Sequence, residues 1–150
     1  MTEFERSLGL DVGHVRIGVA VSDPMGIIAQ PKEVIQCTSP EGDIEAVRRI
    51  IEETEASTVV VGIPLNMEGK HGPQAEKTLE FVERLRAATY AEIVLQDERY
   101  STAAAERMLI GHKVRRKGRK KVIDKVAATH ILQTWLDRRA REKERGGGGT

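Results

Sequence analysis

From Ser7 to Ser22 the chain alternates. Leu8 and Leu10 sit between Ser7, Gly9 and Asp11, and Ile17, Val19 and Val21 between Arg16, Gly18, Ala20 and Ser22. Two runs of period two around a glycine-containing turn predict a β-hairpin, with Asp11 ending its first strand. Residues 27–36 predict a third strand, and Pro31 within it, which has no N–H to donate, assigns that strand to a sheet edge. Pro40-Glu-Gly-Asp43 opens a helix that carries Ile44, Val47, Ile50 and Ile51 at helical spacing. Residues 58–63 (Thr-Val-Val-Val-Gly-Ile) form a continuous apolar run, the mark of a strand covered on both faces. A long polar loop over 64–73 ends at Pro73, which suits the first turn of a helix to about Ala88. Residues 92–97 are another apolar strand, ending in Asp97-Glu98-Arg99. Ser101 or Thr102 can cap a short helix after it. The spacing then predicts a final helix from about 122 to 141.

A meander of three strands followed by helix, strand, helix, strand and two helices defines an α/β architecture. Right-handed crossovers place the later strands parallel to the first, giving a five-stranded mixed sheet flanked by helices on both faces. Ligands of such sheets gather at the carboxyl ends of the parallel strands. Asp11, the 64–72 loop and Asp97-Glu98 all emerge there. Residues 1–141 are expected to form a single domain, with 142–150, which end in four glycines and Thr150, as a flexible C-terminal tail.

Charge changes this picture. The net charge of +1 conceals an asymmetry, because residues 1–98 carry 9 Lys/Arg against 18 Asp/Glu and residues 99–150 carry 15 against 5. Seven of the nine residues in Lys113-Val-Arg-Arg-Lys-Gly-Arg-Lys-Lys121 are cationic, read as a loop that meets a polyanion, with a solvated, disordered loop without a partner as the alternative. The one cysteine, Cys37, cannot form an internal disulfide, and the four histidines lack zinc-site spacing. The acidic start, Met1-Thr-Glu-Phe-Glu5, has no signal-peptide character, and the apolar runs are too short to cross a bilayer. A cytoplasmic protein without membrane contact is the expectation.

The candidate chemistry lies in carboxylates. Asp11 stands in an apolar ribbon beside Gly9 and Gly18, where missing side chains leave room for an ion or phosphate. A buried carboxylate there needs a cationic partner, although a plain turn aspartate bonding its own backbone is the alternative. Asp124 shares a helical stripe with Ala127, Ala128, Ile131 and Trp135, the stripe expected to face the sheet, although an acid near a helix start is also favoured by the helix dipole alone. Asp97 and Glu98 are adjacent on a strand and point to opposite faces, so the residues alone leave open which faces Asp11. Three oxygen donors without a cysteine or histidine cluster suit Mg²⁺ or Mn²⁺, ions that support phosphodiester hydrolysis.

Six ordered stretches carry a family resemblance: Leu8-Gly-Leu-Asp-Val-Gly13, Arg16-Ile-Gly-Val-Ala-Val-Ser-Asp23, Val61-Gly-Ile-Pro-Leu-Asn-Met-Glu-Gly69, Gly72-Pro-Gln-Ala75, Asp97-Glu-Arg-Tyr-Ser-Thr102 and Lys121-Val-Ile-Asp-Lys-Val-Ala-Ala128. Over about residues 7–137 the chain resembles the YqgF/RuvX family of RNase H-like nucleases, relatives of Holliday-junction resolvases. The resemblance implies an RNase H-like fold and a role in maturing the 5′ end of pre-16S rRNA during ribosome biogenesis. It places the family's acids on Asp11, Glu98 and Asp124, as catalytic and metal-holding residues for Mg²⁺ or Mn²⁺, and favours Glu98 over Asp97. The expected substrate-binding residues are Arg16, Asn66, Arg99, Lys113, Arg115, Arg116, Lys120 and Lys121. Many relatives have Thr-Lys where this chain has His14-Val15, which removes one lysine from the turn, and Tyr100 stands where a leucine is more usual. The expected partner is nucleic acid, either pre-16S rRNA or branched DNA, bound by a monomer or weak homodimer. Competing readings are a resolvase-like DNA nuclease and a non-catalytic nucleic-acid-binding factor. A third, the phosphate-binding hairpin of actin-like ATPases and sugar kinases, belongs to proteins that duplicate the fold, whereas one copy is the expectation here.

Overall fold

The computed structural model describes residues 5–64, 72–97 and 117–147, with side chains of the last segment described over 125–144. Its elements run β1 (Arg6–Val12), β2 (Arg16–Ser22), β3 (Ala29–Gln36), α1 (Pro40–Thr54), β4 (Ala56–Ile63), α2 (Pro73–Ala88), β5 (Glu92–Asp97) and α3 (Lys117–Gly147). The expected short helix after Ser101 lies outside the described residues.

The five strands form one sheet in the order β3-β2-β1-β4-β5. β1 pairs antiparallel with β2 and parallel with β4, and β4 pairs parallel with β5. β3 is an edge strand, as Pro31 requires. Ala20 faces Pro31 and Val19 faces Glu33, so Lys32 is an extra residue in a bulge that blunts the edge. The strand begins at Ala29, two residues later than expected. Ile27 and Ile28 belong instead to the turn, where their N–H groups donate to Asp23 Oδ1 at 2.7 and 2.8 Å. Gly26 adopts φ +72° there, and the amides, that of Ile28 above all, hold the Asp23 carboxyl below its usual range.

Alternation along the strands divides the interior in two. On one face Leu8, Leu10, Ile17, Val19, Val59, Val61 and Ile93 pack with Val47, Ile50 and Ile51 of α1 and Val82 and Leu85 of α2. On the other, Ala20, Ala29 and Val60 pack with Ala128, Ile131, Leu132 and Leu136 of α3. β4 serves both cores, which explains its unbroken apolar run.

Local chemistry sets the helix ends. Ser39 Oγ accepts from the Gly42 N–H at 3.0 Å, Pro40 occupies the first turn of α1, and Glu55 closes it in the left-handed conformation (φ 54°). Pro73 likewise opens α2.

α3 departs from expectation at both ends, starting at Lys117 and not near Val122, and continuing to Gly147 and not ending near Arg141. Lysine and arginine are good helix formers, and Gly118 is a single interruption, so the second half of the basic run is helical and not loop. At the other end Arg138 to Arg145 is again rich in helix formers. Residues 142–147, expected in a flexible tail, therefore extend the helix.

α3 can lie close on the sheet because Gly9 has no side chain. A Cβ there would sit 2.7 Å from both the Ala128 carbonyl oxygen and Leu132 Cβ. Gln133 bridges the helix to the sheet, accepting from the Ala29 N–H at 2.8 Å and donating to the Ile27 carbonyl at 3.0 Å.

Candidate active site

Asp11 is the last acid of an apolar strand, and the sheet decides what surrounds it. Because Leu8 and Leu10 face α1 and α2, Ser7, Gly9 and Asp11 face α3. Asp11 is 8 % exposed, so its carboxylate is a buried group. Directly across on β2 stands Gly18. On β4, Val61 aligns with Leu10, which brings Gly62 level with Asp11, and Gly62 pairs with Gln96 of β5. A row Gly18–Asp11–Gly62–Gln96 thus crosses four strands on the α3 face. Both immediate neighbours of the carboxylate lack side chains, which leaves lateral room beside it.

The carboxyl ends of β1, β4 and β5 lie together because these strands are parallel. Asp97 ends β5 and is exposed. It pairs with Ile63, in the same alternation as Val59 and Val61, and so takes the α1/α2 side. Gln96 takes the α3 side with Asp11, which its contact to α3 confirms: Gln96 Nε2 donates to the Ile131 carbonyl at 2.9 Å. Arg16 shares the strand face of Gly18 and Ala20, which is Asp11's face, one pleat nearer the turn.

Other expected site residues are placed less completely. Asp124, Lys120 and Lys121 lie on the helical backbone of α3, with their side chains outside the described residues. Glu98, Asn66, Arg99, Lys113, Arg115 and Arg116 lie outside the described residues altogether. Among the described residues, no three His, Cys, Asp or Glu side chains form a group able to hold a metal ion. Asp11 is therefore the acid of the expected triad whose surroundings are defined here.

Two glutamines outside the expected site residues join the site. Gln74, in the first turn of α2, donates from Nε2 to the Val12 carbonyl at 2.8 Å and so ties the residue after Asp11 to that helix. Gln96 does the same between β5 and α3. For Gln96 the signal in the sequence is a polar side chain at an inward position of an apolar strand. At the hairpin turn, Lys77 Nζ of α2 lies 3.1 Å from His14 Nδ1, so an ammonium from another element stands over the turn. His14 and Lys77 help to line a cavity of about 210 Å³ with Gly13, Cys37, Asp43 and Arg84, on the α1/α2 side of the sheet.

The architecture and the position of Asp11 define a class. The fold is RNase H-like, of the type found in Holliday-junction resolvases. Thermus thermophilus RuvC, solved in complex with a Holliday junction substrate, superposes with a TM-score of 0.55 at 18% identity, over 91% of this chain and 96% of RuvC. Within that class the chain belongs to the RuvX family of nucleases, whose model, "RuvX: Holliday junction resolvase", matches residues 5–138. Among its relatives are two proteins named "Putative pre-16S rRNA nuclease". That of Halothermothrix orenii is 48% identical over 132 residues, covering 88% of this chain and 94% of the relative. That of Geobacillus kaustophilus is 51% identical over 134 residues, covering 88% and 97%.

Proposed function

We propose that this chain is a metal-dependent nuclease that hydrolyses phosphodiester bonds at the 5′ end of pre-16S rRNA, with Asp11, Glu98 and Asp124 as its acids. One observation carries the reading. A buried carboxylate ends a parallel strand between two bare glycine positions, within a sequence that belongs to a nuclease family. Burying a carboxylate is costly unless a cation or strong hydrogen bonds compensate it.

The register of α3 supports Asp124 as a second acid. Glu5 of the strand side meets Arg139 at 3.9 Å, and Gly9 meets Ala128 and Leu132, so α3 runs antiparallel to β1. Two residues beyond Gly9 advance the strand by about 6.7 Å, which is between four and five residues of helix rise. That step leads from Ala128 back to about position 124, level with Asp11. Alternation supports Glu98. Gln96 shares Asp11's face and Asp97 does not, which argues against Asp97 as the acid beside Asp11.

The donor set is oxygen only, which fits a hard divalent ion such as Mg²⁺ or Mn²⁺. When bound, such an ion supplies a polarised phosphodiester and an activated water. The chain's own residues hold and orient. The three carboxylates fix the position of the charge, Arg16 and Arg99 meet the scissile phosphate, and Asn66 orients the strand beside it. Lys113, Arg115, Arg116, Lys120 and Lys121 grip the flanking backbone with little regard to sequence.

The relatives' names favour ribosomal RNA as substrate, while the family description and the RuvC likeness favour branched DNA. We place the protein in the cytoplasm, as a monomer or weak homodimer. Among the described residues no helix is long and apolar enough to cross a membrane.

The test presents purified protein with an RNA carrying the 5′ precursor extension and, separately, with a four-way DNA junction, each in Mg²⁺ and in Mn²⁺. Cleavage of the extension, with the junction intact and the Asp11→Asn variant inactive, is expected. Cleavage of the junction alone transfers the activity to DNA. Tight binding of RNA without cleavage makes the protein a non-catalytic factor.

A further inference from the structure

Gln96 is a buried polar side chain whose hydrogen bonding is only half satisfied among the described residues. It is 5 % exposed, and its Nε2 donates to the Ile131 carbonyl at 2.9 Å, while its Oε1 is buried without a partner among the described residues. Ile131 lies inside the continuous helix α3, where its carbonyl already accepts from the backbone four residues later. The carbonyl would remain satisfied without Gln96. An orphaned buried amide oxygen costs stability, and replacing a half-satisfied polar group by an apolar one of similar shape is neutral or favourable. Stability alone therefore does not account for a glutamine here.

Its position does. Gln96 lies in the row of Asp11, separated from it by Gly62, which puts no side chain between them. Its bond to Ile131 joins the carboxyl end of β5 to α3 two helical turns from Asp124. A slide of α3 along the sheet would alter the spacing between Asp11 and position 124 of the helix. Gly9 fixes how closely α3 approaches the sheet, and the Gln96 amide fixes where along the helix β5 is held.

We propose that Gln96 is a positioning residue of the nuclease site: its N–H ties β5 to α3, and its free oxygen accepts a hydrogen bond from a water of the hydrated ion. This rests on the metal-dependent reading given above. Groups that orient ligands from outside the coordination shell are worth roughly 10–100-fold in metal affinity. A residue that only fills the core is worth nothing there.

The experiment titrates Mn²⁺ into wild type, Asp11→Asn and Gln96→Met, following binding by calorimetry and each protein's melting temperature without metal. Methionine keeps the length and volume of glutamine and removes both hydrogen-bonding groups. Gln96→Leu repeats the measurement with a different shape. We expect Asp11→Asn to abolish binding. Gln96→Met should weaken it roughly 10–100-fold, with an unchanged or higher melting temperature and unchanged metal-free RNA affinity. Wild-type Mn²⁺ affinity in the folded Gln96 variants overturns the proposal and leaves the metal site standing. A large fall in melting temperature, or failure of both variants to fold, makes Gln96 a structural tie and overturns it too. If wild type and Asp11→Asn both bind no ion, the metal-dependent reading falls and this proposal with it.

Discussion

Replacing Gly9 by alanine should lift α3 off the sheet, and the cost follows from the surrounding atoms. The added Cβ would stand 2.7 Å from the Ala128 carbonyl oxygen and 2.7 Å from Leu132 Cβ. The first is backbone within a helix and cannot swing aside. The methyl group therefore fits only if α3 moves by several tenths of an ångström. That movement would loosen the packing of Ala127, Ala128, Ile131, Leu132 and Leu136, all buried. Overpacking of this kind costs about 1–3 kcal/mol. Alanine returns about 0.4–1 kcal/mol by restricting the unfolded chain. The net loss centres on about 1.3 kcal/mol, with about 2.6 kcal/mol as its upper end, which at its centre corresponds to a fall of roughly 3–5 °C in melting temperature for a domain of this size. Urea unfolding should show a lower midpoint with an unchanged slope. Gly72→Ala is the control, since a Cβ there meets nothing within 4 Å. A Gly9→Ala protein as stable as wild type would show that α3 is not seated on β1 as described.

Three further outcomes follow from other parts of the molecule. Neutralising Lys113, Arg115, Arg116, Lys120 and Lys121 to glutamine should weaken nucleic-acid binding with little dependence on sequence. It should also flatten the salt dependence by roughly 0.7–0.9 log units for each phosphate no longer neutralised; an unchanged slope would assign the run to solvent. Burial, and then the Asp43 carboxylate, push the Cys37 thiol up to about 11, so alkylation should be slow at pH 8 and rise steeply only toward that value. Rapid labelling at pH 8 in the native protein would contradict this. Asp23→Ala should loosen the β2–β3 turn at neutral pH. Because the folded-state pKa of Asp23 is lowered, its contribution is complete above the ordinary aspartate range and lost as pH falls through the lowered value. The stability gap to wild type should therefore close in acid; a gap independent of pH would remove the carboxylate from the explanation.

The sheet is legible in the sequence because its signals are local and redundant. The alternation of Leu8 to Val21 specifies a hairpin, Pro31 an edge, and the run to Ile63 a strand with cores on both sides. The parallel arrangement follows from chain order alone. Element ends are less legible, for reasons visible in the structure. Asp23 captures the amides of Ile27 and Ile28 and delays β3, a side-chain choice that hydrophobic pattern does not carry. α3 outruns its apolar stripe at both ends, because the cationic residues there carry helix propensity as well as charge. At the site, Asp11 is marked by its place beside glycines. Which of Asp97 and Glu98 shares its face cannot be read from two adjacent acids, whereas the pairings of Gln96 with Gly62 and of Asp97 with Ile63 put Asp97 on the opposite face. Gln74 and Gln96 carry little signal because their partners, the Val12 and Ile131 carbonyls, are distant in sequence.

The most direct test of the metal-dependent mechanism is the cleavage rate of Asp11→Asn on the precursor RNA in Mg²⁺ and Mn²⁺, measured beside its melting temperature and RNA affinity. Asparagine is nearly the same shape but lacks the negative charge needed to hold a divalent ion. We expect a folded variant that binds RNA as well as wild type or better, since a charge that repels phosphate is gone, and that does not cleave it. A folded variant that cleaves as fast as wild type contradicts the mechanism, because the buried carboxylate at the end of β1 would then have no part in the reaction.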